Sequence, residues 1–387
     1  MLKRSRILAG GLFFLLLVGA ATGMTFFFLR YRAIQETLEE FRPLTDAHRL
    51  VKEQYVREVV ELDLLEGALG GMVDTLGDPY SEYLTQQRYR ELEIQTQGMY
   101  GGIGVVLTIL GEDLVILDPP LAGSPAAEAN LREGDMIRSI DDVPVSEITF
   151  ERAAELIRGP VGTEVVLGLE REGEEFTVTL RRDEIHLDTV RSQILGDTEG
   201  IGYLRVSMFN DYTGQELAGH MADLMEQGLQ ALIMDLRGNP GGILGAAVEV
   251  AEFFLPKGKP VLHVRARDGL EQTIYTGGSG HFEIPLVVLV DGGSASGAEI
   301  VAGALKDNDR AILVGTKTFG KGSVQSIYEL KNGGGLKLTT ALYITAGGHS
   351  IDKEGITPDV VVEYNEGAES DVQLEAAMEI LQEGEDN

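Results

Sequence analysis

Two stretches of this chain carry residue types suited to acyl transfer. One is Asp291-Gly292-Gly293-Ser294-Ala295-Ser296-Gly297-Ala298-Glu299, and the other is Phe319-Gly320-Lys321-Gly322-Ser323-Val324-Gln325. The first follows an apolar run at 285–290 that reads as a buried strand, and Ile300, Val301, Ala304 and Leu305 then recur at helical spacing. Ser296 is therefore expected on a strand-to-helix turn. There the unpaired N–H groups and the positive end of the helix dipole favour negative charge. Lys321 follows a second apolar run at 311–314. A serine becomes a good nucleophile when a base takes its proton, and a lysine is that base only with a neutral amine. Burial in an apolar crevice lowers a lysine pKa, by up to several units. The flanks of Lys321 suit this: Phe319, a glycine on each side, Val324, and no acidic residue from Gly315 to Tyr328.

Two further parts complete such a site. If 321–325 is extended, Lys321 and Gln325 share a face, and the Gln325 amide orients the amine. An oxyanion needs two N–H donors. Gly297 is one candidate, and Gly241 or Gly242 of Asp235-Leu236-Arg237-Gly238-Asn239-Pro240-Gly241-Gly242 is the other. Plainer readings exist for each. Ser296-Gly297-Ala298-Glu299 is also a capping box, with Ser294 as an alternative cap, and the Asn239-Pro240-Gly241-Gly242 segment is also a simple turn.

The elements that must position these residues come from a chain of 387 residues, long enough for two or three domains and 43% hydrophobic. Sixty-two acidic against 32 basic residues give a formal charge of −30. That argues against nucleic acid and against docking on anionic lipid. The absence of cysteine excludes disulfides, thiolate metal sites and a cysteine nucleophile. The six histidines form no metal-spaced pair, so neither metal nor other cofactor is expected. Gly315-Thr316-Lys317-Thr318-Phe319-Gly320-Lys321 approaches a phosphate loop, but Gly322 stands where serine or threonine is required and a strand pattern follows.

Lys3, Arg4 and Arg6 precede an uncharged run at 7–29, which as a helix spans roughly 34 Å, enough for a bilayer core of about 30 Å. Residues 1–32 thus read as a membrane anchor or signal segment that sends the remainder out of the cytoplasm. Residues 33–97 read as a helical arm, broken at Gly77-Asp78-Pro79, whose apolar stripes suit a core or a homo-oligomer contact. Residues 98–183 change character: a glycine loop (Gly101, Gly102, Ile103, Gly104), short strand patterns and one helix pattern at 150–157. This order resembles a PDZ domain. Such a domain binds a peptide by strand addition and caps its terminal carboxylate with loop N–H groups. Residues 184–365 alternate strand and helix patterns, an α/β core with sites at the carboxyl ends of strands. A helix and an acidic tail at 366–387 close the chain.

Taken whole, the chain resembles the C-terminal processing peptidases, or tail-specific proteases. Anchor, helical arm, embedded PDZ domain and an α/β serine protease core of crotonase-like type follow in the family's order. The resemblance is sharpest at 235–242, 293–299 and 318–325. It implies that Ser296 and Lys321 form a catalytic pair with Gln325 as third member, and that Gly242 joins Gly297 in the oxyanion hole. It also implies substrates that are proteins or peptides with accessible C-termini. The family's frequent second serine is Ala298 in this chain. Arg158, ending the PDZ helix, is the candidate to signal peptide capture to the core. The alternative is a non-catalytic PDZ adaptor on an inactive protease scaffold.

Overall fold

The computed structural model describes Met24, Arg32 and residues 39–196, 198, 200–278, 281–364 and 370–385. The expected membrane segment at 7–29 lies outside these residues apart from Met24. Among the described residues, no helix is long and apolar enough to cross a membrane. The chain divides into two compact units, 1–77 and 78–387.

The first unit contains helices α1 (Arg42–Gln54) and α2 (Glu61–Asp74). Leu44, Val51, Leu64, Leu65 and Ala68 line a cleft between them. Leu44, Leu50, Leu62, Leu65 and Met72 are all well exposed.

The second unit opens with a departure from the expected helical arm. The Asp78-Pro79 break is followed by strand β1 (Glu82–Leu84) and only then by helix α3 (Gln86–Gln97). The break is made by Asp78, whose carboxylate accepts from Tyr80 N–H at 3.2 Å and from the Ser81 hydroxyl at 2.5 Å. That self-contained turn competes with a continuous helix. Thr85 then caps α3 by accepting from Arg88 N–H.

The chain enters and leaves the PDZ domain through a two-stranded ribbon, β2 (Met99–Gly102) against β9 (Asp183–His186). Between them lie β3 (Leu107–Leu110), β4 (Asp113–Ile116), β5 (Met136–Ile140), β6 (Val143–Pro144), β7 (Glu164–Arg171) and β8 (Glu174–Arg181). The order is β3-β4-β5-β7-β8, with β6 beside β5. Helix α4 (Phe150–Ile157), capped by Thr149, closes the domain over Ile103, Ile116, Ile140 and Leu167.

The remaining chain forms a six-stranded sheet in the order β10-β11-β12-β15-β16-β19. Its strands are β10 (Val190–Ile194), β11 (Ile201–Val206), β12 (Ala231–Asp235), β15 (Leu286–Val290), β16 (Ile312–Gly315) and β19 (Val360–Val361). Only β10 runs antiparallel to its neighbour. Every residue of β12 and β15 is buried, and their side chains divide by parity. Leu232, Met234, Leu286, Val288 and Val290 face one core with helices α5 (Thr213–Glu226), α6 (Leu244–Glu252) and α7 (Gly297–Asp307). Ile233, Val287 and Leu289 face the other, covered by Ala377 and Leu381 of α8 (Val372–Glu385). A parallel sheet buried on both faces is why these strands read as unbroken apolar runs.

A second, five-stranded sheet pairs β1, β18 (Gly335–Thr345), β13 (Pro260–Ala266) and β14 (Glu271–Tyr275), with β17 (Ser323–Glu329) alongside β18. Its function is positional: it carries the chain just after Lys321.

Candidate active site

The loops after β12, β15 and β16 meet at the carboxyl end of the parallel sheet. Ser294, fully buried, holds two of them together. Its hydroxyl donates to Leu236 O at 2.8 Å and accepts from Asp291 N–H at 3.0 Å. Asp291 Oδ1 accepts from Gly238 N–H and Gly293 N–H at 2.8 and 2.9 Å. Ser294 is thus committed to the loop, and the capping position belongs to Ser296, which closes a box with Glu299. Ser296 has φ 52° and ψ −110°. A side chain in this region costs about 1–3 kcal/mol, so the surrounding contacts hold it there. The backbone of Gly241 packs beside it; a Cβ on Gly241 would lie 2.7 Å from Ser296 Cβ.

Glu299 joins the serine to the lysine, a role beyond the helix cap that its spacing predicts. It is fully buried. Its Oε2 accepts from both Ser296 N–H and Lys321 N–H, each at 2.9 Å. Its Oε1 accepts from the Thr318 hydroxyl at 2.6 Å and Gly320 N–H at 2.8 Å. One carboxylate therefore fixes the backbone of both residues. Phe319 N–H donating to Ser294 O at 3.0 Å adds a direct link between their loops. The absence of nearby acids in sequence did not carry into space. Even so, the Lys321 pKa is lowered: burial dominates, Lys337 adds repulsion, and Glu299 with Glu82 oppose them. The Glu299 carboxylate spends its lone pairs on backbone and hydroxyl donors rather than on the amine.

The structure does not place every expected contact. Among the described residues, no hydrogen bond joins Lys321 Nζ to Ser296 Oγ, and Lys321 Nζ lies over the Tyr80 ring instead, 5.1 Å from its centroid. Nor, among the described residues, does a hydrogen bond join Gln325 to the Lys321 amine. The Gln325 Nε2 donates to Ser323 Oγ at 2.7 Å, Ser323 O at 3.2 Å and Thr339 Oγ1 at 3.4 Å. The reason is local: β17 begins only at Ser323, and its register with β18 shifts between Val324 and Gln325. A bulge cancels the every-second-residue rule on which the shared face depended.

The two oxyanion alternatives separate cleanly. Gly241 N–H donates to Asn239 Oδ1 at 2.8 Å and is occupied. Among the described residues, Gly242 N–H and Gly297 N–H meet no acceptor. Gly242 has φ 146°, and a Cβ there would lie 1.9 Å from Phe209 O, so only glycine fits. Asp307 ends α7 and accepts from Gly347 N–H at 2.6 Å, a structural bond. Among the described residues, no cluster of acidic, histidine or cysteine side chains is arranged to hold a metal.

In the PDZ domain, the four candidate peptide-binding residues part company. Gly101 and Gly102 lie in β2, paired with Glu184 and Asp183. Ile103 and Gly104 line a groove of about 250 Å³ with Val105, Leu107, Phe150 and Ala154. Gly104 has φ 80°, and its N–H meets no acceptor among the described residues. Arg158 stands at one end of this groove, 5.1 Å from the Tyr100 ring centroid. Both residues also line a cleft of about 400 Å³ under α3.

A strained serine at a helix start, a half-buried lysine on the neighbouring loop and a PDZ domain inserted before them define a serine peptidase core with its own peptide-binding module. Residues 200–362 match the model of peptidase family S41, 119–171 that of a PDZ domain, and 29–88 that of the activating protease CtpB N-terminal domain. The carboxyl-terminal-processing protease of Synechocystis sp. is 39% identical over 346 residues, covering 86% of this chain and 80% of its own. The carboxy-terminal processing protease CtpA of Bacillus subtilis is 33% identical over 361 residues, covering 91% and 77%. Among solved structures, the photosystem II D1 C-terminal processing protease aligns with a TM-score of 0.47 at 28% identity, covering 82% of this chain and 92% of that one. The chain belongs to the carboxyl-terminal-processing serine proteases of peptidase family S41.

Proposed function

We propose that this protein is a membrane-anchored, extracytoplasmic endopeptidase that recognises substrate C-termini in its PDZ groove and cuts through a Ser296 acyl-enzyme. One observation carries the catalytic assignment: the same buried Glu299 oxygen accepts from the backbone N–H of Ser296 and of Lys321. Neutral Lys321 removes the Ser296 Oγ proton as Oγ bonds to the scissile carbonyl carbon. The carbonyl electron pair moves onto oxygen, received by Gly297 and Gly242 N–H. Collapse breaks the C–N bond, and the Lys321 ammonium protonates the departing amine. Water, deprotonated by Lys321, then hydrolyses the ester and restores Ser296. Gln325 orients the amine once it leaves Ser323. No cofactor takes part.

The apolar groove beside Gly104 supports recognition of a peptide end with an apolar side chain. The test is one unfolded polypeptide offered with a free and with an amidated apolar C-terminus. Amidation is expected to raise KM severalfold. Equal KM values would remove the groove from the reading, and failure to cut either form would leave a binding protein without catalysis.

The basic start and uncharged run at 3–29 support the anchor and the extracytoplasmic location. The exposed apolar residues of α1 and α2 support a homo-oligomer contact there. The net charge of −30 supports no role with nucleic acid. Arg158 borders both the groove and the cleft under α3, which supports its role as the sensor of an occupied groove. Arg158→Ala is expected to reduce stimulation of cleavage by an added C-terminal peptide while preserving peptide affinity. Unchanged stimulation would end that role.

A further inference from the structure

Beyond the pair itself, the Lys321 amine has an aromatic neighbour that the mechanism does not use. Tyr80 presents its ring face to Nζ at 5.1 Å from the centroid. We propose that Tyr80 is a positioning residue for Lys321: its ring parks the amine away from Ser296 in the resting site, and the amine must leave the ring to take the serine proton. This rests on the reading of Lys321 as general base.

The ring is well placed for such a task because its turn is fixed to the sheet that bears Gln325. Asp78 binds Tyr80 N–H and the Ser81 hydroxyl, and Ser81 Oγ accepts from Thr339 N–H at 3.0 Å. Glu82 and Leu84 then pair with Lys337 and Gly335 of β18. Thr339 Oγ1 also accepts from Gln325 Nε2. Tyr80 and Gln325, one holding the amine back and one expected to receive it, are thus anchored on a single residue. An aromatic face attracts an ammonium through its quadrupole and has no such hold on a neutral amine. Parking therefore favours the protonated base, and loss of the proton frees it.

The charged groups around the pair are defined. Lys321 meets Lys337, Glu299 and Glu82. Tyr80 meets Asp352, Glu299 and Asp78, and Asp78 in turn feels Lys353. Burial, reinforced by those carboxylates, raises the Tyr80 hydroxyl pKa, so the ring stays neutral over the working range.

The test is the pH dependence of Ser296 labelling by a fluorophosphonate probe, located by mass spectrometry, in full-length protein. Tyr80→Phe keeps the ring and should track wild type. Tyr80→Leu keeps apolar cover without a π face and should move the acid limb down by about half a pH unit or more. Labelling below the limb midpoint should become severalfold faster. Tyr80→Met is run beside it, so the comparison does not depend on one variant's folding. Acid limbs of both ring-less variants coinciding with wild type, or moving up, would overturn the proposal while a silent Lys321→Met control leaves the base assignment standing. Wild-type labelling of Lys321→Met would overturn the base assignment, and this proposal with it.

Discussion

Ser296→Ala and Lys321→Met should each lower kcat by about 10⁴-fold or more while leaving peptide affinity at the PDZ groove unchanged. The two losses should not add, because a nucleophile and its base act as one unit. Stability distinguishes a chemical loss from a folding one. The Lys321 pKa is lowered in the fold, chiefly by burial. Its folded state therefore binds protons less readily than the unfolded chain. The penalty is fully present below the lowered folded value and fades as pH rises toward the ordinary lysine range. Methionine has similar reach and no charge, so Lys321→Met should unfold at the same or a higher temperature than wild type near neutral pH. A melting temperature well below wild type would mean that the amine stabilises the fold, contrary to the burial argument. Residual turnover within tenfold of wild type would remove Lys321 from the chemistry.

Strands β12 and β15 could be read from sequence because both faces are buried, leaving unbroken apolar runs bounded by glycine-rich loops. Ser296 and Lys321 were legible for the same reason: each follows such a strand within a few residues, so strand ends predict their approach. What failed to show were relations between distant residues or broken periods. The register shift after Val324 broke the alternation on which a shared face for Lys321 and Gln325 depended. The Asn239 side chain occupies the Gly241 N–H and leaves that of Gly242 free among the described residues, a distinction spacing did not carry. Tyr80 lies far from Lys321 in sequence, on a turn whose only signal was the break at Asp78-Pro79. Glu299 carried a valid local signal, the capping box, which concealed a larger role because Thr318, Gly320 and Lys321 come from another loop.

That larger role predicts different outcomes for two substitutions of Glu299. Glu299→Ala leaves the N–H groups of Ser296, Gly320 and Lys321 and the Thr318 hydroxyl without their acceptor. Each buried donor left unsatisfied costs about 1–3 kcal/mol, so losing the acceptor of four should destabilise the fold by several kcal/mol. The serine and lysine loops also lose their common anchor, and misplacement by about 1 Å costs roughly 100-fold in rate. Glu299→Gln should be milder, because the amide has one orientation the site can accept. With its NH₂ toward Ser296 and Lys321, two backbone donors would face a donor. With its NH₂ toward Thr318, the hydroxyl, which already accepts from Ile356 N–H at 2.7 Å, accepts with its second lone pair, so Gly320 N–H is opposed and the hydroxyl proton loses its acceptor. The carbonyl oxygen then still serves Ser296 and Lys321. Glu299→Gln is therefore expected to lose about 1–3 kcal/mol of stability while keeping a measurable part of kcat. Adding Thr318→Val should cost it more than the same change costs wild type, because the amide NH₂ then has no acceptor. Thermal unfolding and kcat measured across Glu299→Ala, Glu299→Gln and the Thr318→Val pair would check this. Near-wild-type stability and turnover in Glu299→Ala would show that the two loops hold their geometry without it.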